Sequence, residues 1–142
     1  GAIDAFRDNA AKHIGKHGAK TAEDPAAQAA VAEATITVDA LKLVLLRNYA
    51  HLMALAQAGE YPDVETRLLY RYQSSHVTNV CADRVSDLLR CMAASGLYNA
   101  NPVARYFRDL HQARGHIANN EAAYRRSYGV VQLGLPNADP FV

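Results

Sequence analysis

The stretch Asp24–Gly59, DPAAQAAVAEATITVDALKLVLLRNYAHLMALAQAG, decides the fold. Asp24 and Pro25 stand in the order of a helix cap and a first helical residue. An aspartate side chain accepts from the free N–H groups of the first turn, and proline gives up only a donor that had no partner there. Gly59 is the natural stop, and neither proline nor glycine interrupts the run between, which predicts about 50 Å of helix at 1.5 Å per residue. Val31, Ala34, Val38, Leu41, Leu45, Leu52 and Leu55 recur at heptad-like spacing, so this helix is committed to packing along its whole length. Thr35 to Val38 is β-branched and locally suits a strand, but the flanking alanines and the unbroken stripe override it. A stripe this long needs other helices to cover it, and the fold class it predicts is an all-α, up-and-down four-helix bundle.

Upstream, Ile3, Phe6, Ala10 and Ile14 share one side of a helix that reads as the end of one begun before Gly1; Gly15 and Gly18 stop it. His13 and His17 have the i, i+4 spacing that can clamp a metal, yet no carboxylate or third histidine accompanies them, so no metal site is assigned. Downstream, Pro62 and Asp63 open a third helix running to about Ala94. Its apolar positions include Val64, Leu68, Val85, Leu88, Leu89 and Met92. Ser75, Asn79, Ala82, Ser86 and Ala93 form a stripe of small residues, which reads either as close helix packing or as a groove admitting a cofactor or a neighbouring subunit. Ser95 to Asn101 is a turn, with Gly96 expected in the left-handed conformation that ends a helix. Asn101 and Pro102 repeat the cap-then-proline start, and a fourth helix is predicted over 102–128. The tail, broken by Gly134, Pro136 and Pro140, is expected to be irregular and to lie on another surface.

At 142 residues the chain is one domain by length, and a chain of that size buries roughly 68–70% of its unfolded surface without disulfides or metals. Half the residues are apolar and the net charge is +1, which gives neither a nucleic-acid footprint nor an acidic tail. Arg105, Arg108, Arg114, Arg125 and Arg126 alternate with Tyr106, Tyr124 and Tyr128, but they spread around the helix. Cys81 and Cys91 fall about 15 Å apart along one predicted helix, too far to bridge, so reduced thiols and a cytoplasmic home are expected. No basic segment precedes an apolar run, and Lys42 breaks the longest apolar stretch, so neither export nor a membrane span is predicted. No Glu stands three residues before a histidine, which removes a di-iron bundle. Gly-rich phosphate loops and nucleophile elbows are also missing.

The chemistry concentrates in Asn101–His116, NPVARYFRDLHQARGH. On a continuous helix, His116 falls seven residues after Asp109 and shares its face with Ala113 and Asn120. An imidazole with a small residue below it, an amide above it and Gly115 beside it has room for a flat ligand.

The prolyl helix start, the Arg108–Asp109 pair, a histidine eight residues after that arginine, and the later Tyr128–Gly129 and Leu133–Leu135 resemble the end of the two-component flavin-dependent monooxygenases of the acyl-CoA dehydrogenase fold. The likeness runs over nearly the whole chain, including GAIDAF at the start and AEDPAAQAAVAEA at Ala22–Ala34. It implies that residues 1–142 are the C-terminal helical domain of a longer protein with helical and β domains upstream. It implies reduced FMN or FAD delivered by a separate NAD(P)H-dependent reductase, hydroxylation of a small aromatic substrate, and a dimer of dimers. His116 becomes the catalytic residue, Asn120 a substrate contact, and Ala94, Ser95 and Gly96 the turn toward the flavin phosphates. That turn is often Gly-Gly in the wider family and is Ala93-Ala94 here, which leaves FMN and FAD both open. In acyl-CoA dehydrogenases the common base is a glutamate nine residues after the same arginine, and here Ile117 stands in that place. A dehydrogenase and a non-catalytic helical oligomerisation domain are the alternatives.

Overall fold

The computed structural model describes residues 1–14, 18–92, 94, 96, 98 and 100–139. These contain five α-helices, α1 Ala2–Lys12, α2 Pro25–Ala58, α3 Val64–Arg90, α4 Pro102–Arg114 and α5 Glu121–Gln132, with single 3-10 turns at Thr21–Glu23 and Ile117–Asn119. The caps are the ones the sequence predicts. The Asp24 side chain accepts from the N–H of Ala26, Asp63 from Thr66 and Asn101 from Val103, while Gly59 closes α2 at φ 72°. α3 is the axis of the bundle and packs against α2, α4 and α5. Small residues make that possible: Ser75 and Ala82 on α3 have no exposed surface, so at these two positions the small-residue stripe serves close helix packing, while Asn79 of the same stripe lines a cavity. Ala93 of the stripe lies outside the described residues.

One core joins Phe6 and Ala10 of α1, Ala27 and Ala34 of α2, Val85 and Leu88 of α3, Met92, and Val103 of α4. Toward the other end of α2 the interface turns polar. Asn48, 3% exposed, donates from Nδ2 to Gln73 Oε1 at 2.8 Å and accepts at Oδ1 from Arg47 Nη2 at 3.0 Å. A buried amide satisfied from both sides fixes the register of α2 on α3, because a slip would strand it.

Four expectations change. The fourth helix is two helices, interrupted between Gly115 and Asn120. Gly96 does not adopt a left-handed conformation; among the described residues the glycines with positive φ are Gly18, Gly59 and Gly134. The described part of the tail, through Asp139, lies against its own chain, where Asp139 meets Arg71 of α3 at 3.8 Å. Finally, the α2 stripe is only partly covered, and the opposite face, with Ile36, Leu43, Leu46, Tyr49 and Met53, is open. No helix among the described residues is long and apolar enough to cross a membrane.

Both cysteines are free, and burial pushes both thiols up from their ordinary range. At Cys91 the carboxylates of Asp24 and Asp87 add to the rise. A raised pKa leaves less thiolate at a given pH, so alkylation by iodoacetamide at pH 7.5 should run several-fold slower than for free cysteine and recover as the pH is raised. Mass-spectrometric rates at each cysteine between pH 7 and 10 check this; rates equal to free cysteine at pH 7.5 would contradict it.

Candidate functional site

The interruption after α4 builds the site. Gly115 and His116 leave the helix, His116 in an extended conformation, and the Ala113 carbonyl accepts both from the His116 N–H at 3.0 Å and from Asn119 Nδ2 at 2.8 Å. Asn120 then caps α5, its Oδ1 accepting from the Ala123 N–H at 3.4 Å. Gly, His, Asn, Asn and then an acidic Glu121 is helix-end and helix-start chemistry in immediate succession. That is the signal that overrides a continuous helix, and His116 consequently sits at the lip of a turn, not on a rigid helical face in line with Asp109. Asp109 pairs with Arg105 at 3.6 Å in the open and faces the groove on the α1 and α2 side, away from His116. Arg108 is also exposed.

His116 and Asn120 do come together. Both line a polar cavity of about 450 Å³ whose other walls include Asn79, Arg114, Glu121 and Arg125. The His116 Nδ1 accepts from the Ala118 N–H at 3.1 Å. Because that nitrogen must offer a lone pair, the neutral ring carries its proton on Nε2, so the imidazole is held as a donor in one defined tautomer. Arg125 adds positive charge at the rim. Glu121, which the sequence reading passed over, brings a carboxylate to the same cavity, four residues beyond Ile117. It is engaged by His76 of α3 at 3.1 Å. On the far side of the turn, a second cavity of about 430 Å³ is floored by Arg71 and Tyr124 and shares Ile117 and Asn120 with the first.

The expected phosphate turn is described only in part. Ala94 is exposed, and Ser95 lies outside the described residues. Gly96 is buried against α3: a Cβ there would meet the Leu89 carbonyl oxygen at 3.2 Å and Met92 Cβ at 3.3 Å. Its missing side chain therefore accommodates the end of α3. Of the paired histidines, His17 also lies outside the described residues, while His13 Nδ1 meets Thr21 Oγ1 at 3.0 Å. No group of three His, Cys, Asp or Glu among the described residues could hold a metal.

One serine–histidine pair invites a nucleophilic reading and does not support it. Ser86 Oγ lies 2.9 Å from His111 Nε2, but its proton goes to the Ala82 carbonyl at 2.6 Å, which makes the histidine the donor toward the serine. A hydroxyl so engaged is not poised to attack.

The chain matches the acyl-CoA dehydrogenase, C-terminal domain family over residues 1–121. It is similar to the flavin-dependent monooxygenase oxygenase subunit HsaA of Rhodococcus jostii, 33% identical over 144 residues that cover all of this chain and 38% of that protein. The oxygenase component of an FADH2-dependent resorcinol hydroxylase from a Rhizobium species is 36% identical over 121 residues, 82% of this chain and 29% of that one. Among solved structures, the 3-HSA hydroxylase of a Rhodococcus species superposes with a TM-score of 0.88 at 33% identity, covering 99% of this chain and 37% of that chain. The chain thus spans about a third of the length of the relatives it matches. With the matched region reaching from the first residue of α1 to the first of α5, the chain belongs to the acyl-CoA dehydrogenase C-terminal domain family.

Proposed function

We propose that the full-length protein is the oxygenase component of a reduced-flavin-dependent monooxygenase that hydroxylates a small aromatic or heterocyclic substrate, with His116 as a hydrogen-bond donor to the reacting oxygen. The reading is supported by the relatives, which are named as oxygenase subunits or components and include the resorcinol hydroxylase. The observation that carries it is the tautomer: the Ala118 N–H occupies Nδ1 and leaves Nε2–H as the donor of a residue lining the cavity.

The donors fit a flavin and its substrate at one wall. His116, Asn120 and Arg125 present N–H groups to any oxygen or ring nitrogen seated there. The turn of Ala94, Ser95 and Gly96 is the proposed contact to the flavin phosphates, with the remainder of that contact on other parts of the protein. Reduced FMN or FAD supplies the electrons for oxygen activation when bound. This chain orients the reactants and donates hydrogen bonds to them. His116 Nε2–H would donate a hydrogen bond to the reacting oxygen, Asn120 would fix the substrate edge, and Arg125 would favour an anionic phenol oxygen at the rim. One oxygen atom enters the substrate ring and the other leaves as water. A separate NAD(P)H-dependent reductase regenerates the flavin, and the protein works in the cytoplasm.

A dehydrogenase would need a carboxylate free to remove an α-proton, and Glu121 is held by His76. The test supplies full-length protein with chemically reduced FMN or FAD, air and a panel of phenols, without NAD(P)H. Ring hydroxylation is the expected result; flavin reduction by acyl thioesters with no hydroxylated product would favour the dehydrogenase instead.

The open face of α2 fits association into a dimer of dimers. Light scattering of the full-length protein should give a tetramer, and Leu43→Lys, placed on that face at 62% exposure, should shift it toward smaller species. A monomer at micromolar concentration would contradict this.

A further inference from the structure

We propose that Asn79 of α3 and Tyr124 of α5 are positioning residues that clamp the His116 turn from opposite sides, an inference that rests on the function proposed for His116. The turn over residues 115–120 has one 3-10 turn of its own and is largely exposed. Its geometry is therefore imposed by its neighbours. From α3, Asn79 Nδ2 donates to the Asn119 carbonyl at 3.1 Å, while its Oδ1 accepts from Arg114 Nε at 2.9 Å and its carbonyl accepts from Arg114 Nη2 at 2.8 Å. One amide thus ties the last residue of α4 to the residue that ends the turn. Thr78 Oγ1 adds a bond to Asn119 Oδ1 at 3.1 Å.

From the other side, Tyr124 is 5% exposed and donates its hydroxyl proton to the Ile117 carbonyl at 2.9 Å. Ile117 follows His116 directly. The same hydroxyl accepts from Arg71 Nη2 at 3.1 Å, and the Arg71 guanidinium lies 4.3 Å from the centre of the Tyr124 ring. A charged donor on a phenol oxygen polarises it and strengthens the bond it makes onward to Ile117. Backbone is thus gripped one residue and three residues after His116. Fixing both carbonyls sets the direction of the imidazole and preserves the Ala118 N–H bond to Nδ1 that holds the tautomer.

Tyr124→Phe removes one oxygen and keeps the ring, so it tests the clamp with little change in packing. Asn79→Ala removes the other grip, and Asn79→Asp keeps the acceptor for Arg114 while losing the donor to Asn119. In the full-length protein without flavin, hydrogen exchange over 116–120 should rise severalfold in Tyr124→Phe and Asn79→Ala and by less in Asn79→Asp. Exchange in the middle of α3 should hold. In the same variants the ratio of hydroxylated product to hydrogen peroxide should fall about tenfold, inside the roughly 10²-fold that a 1 Å misplacement can cost. Unchanged exchange over 116–120 in both Tyr124→Phe and Asn79→Ala overturns the clamp. Raised exchange with an unchanged product ratio leaves the clamp standing and removes His116 from the proposed chemistry.

Discussion

His116→Ala in the full-length protein slows hydroxylation by about 10²–10³-fold, the usual worth of one positioned hydrogen-bond donor at developing charge, and diverts oxygen to hydrogen peroxide. The expectation follows from where the residue sits. The side chain is exposed and lines the polar cavity, so its truncation leaves no hole in the core. What it loses locally is the Nδ1 acceptor of the Ala118 N–H, while Asn79 and Tyr124 still hold the turn from either side. The fold should therefore survive, with thermal unfolding little changed. The chemistry should not, because the Nε2–H donor has gone. Asparagine is a good cap residue and carries an amide donor, so His116→Asn should keep the turn and restore part of the coupling. Product and peroxide measured per oxygen consumed report both variants. Wild-type coupling in His116→Ala would make the histidine a turn residue and nothing more.

The largest expected effect on stability is Leu88→Ala. Leu88 is 1% exposed on α3, at the point where α1, α2 and α4 converge through Phe6, Ala34 and Val103. Removing its branched end costs the lost burial and leaves a cavity whose walls belong to four separate helices, which limits collapse. About 2–5 kcal/mol is expected, equivalent to a fall in Tm on the order of 10 °C. Leu43→Ala is the matched control: the same substitution at a position 62% exposed should change the stability of the single chain by no more than about 0.5 kcal/mol. Calorimetry or denaturant unfolding of the two variants separates them, and equal losses would mean that the core does not lie where α3 crosses α1.

The two long helices were legible because their ends carry side-chain caps and their interiors carry uninterrupted periodicity. Asp24, Pro25, Gly59 and Asp63 each act locally, and the structure uses each as read. The fourth helix was misread because its break depends on competition. Residues 102–128 have helical periodicity throughout, and only the run Gly115, His116, Asn119, Asn120 tips the balance, by offering the backbone side-chain partners that a helix interior cannot use. Long-range pairs left no local signal: Asn79 with Asn119, Tyr124 with Ile117 and Asn48 with Gln73 join residues 25 to 40 positions apart or meet across a turn. Gly96 was recognised as necessary for the wrong reason, since a glycine required by close approach to Leu89 and one required by a left-handed backbone look alike in a sequence. His116 and Asn120 were singled out from a helical face that does not exist, yet the turn gathers both at one cavity.

The central claim is that this helical domain serves oxygen transfer to a substrate, and labelled oxygen tests it most directly. Full-length protein, reduced flavin and a phenolic substrate under ¹⁸O₂ should yield a hydroxylated product carrying one ¹⁸O atom, with none incorporated when the label is in water instead. A product whose new oxygen comes from water, or consumption of ¹⁸O₂ that ends wholly in hydrogen peroxide with every substrate offered, would contradict the account.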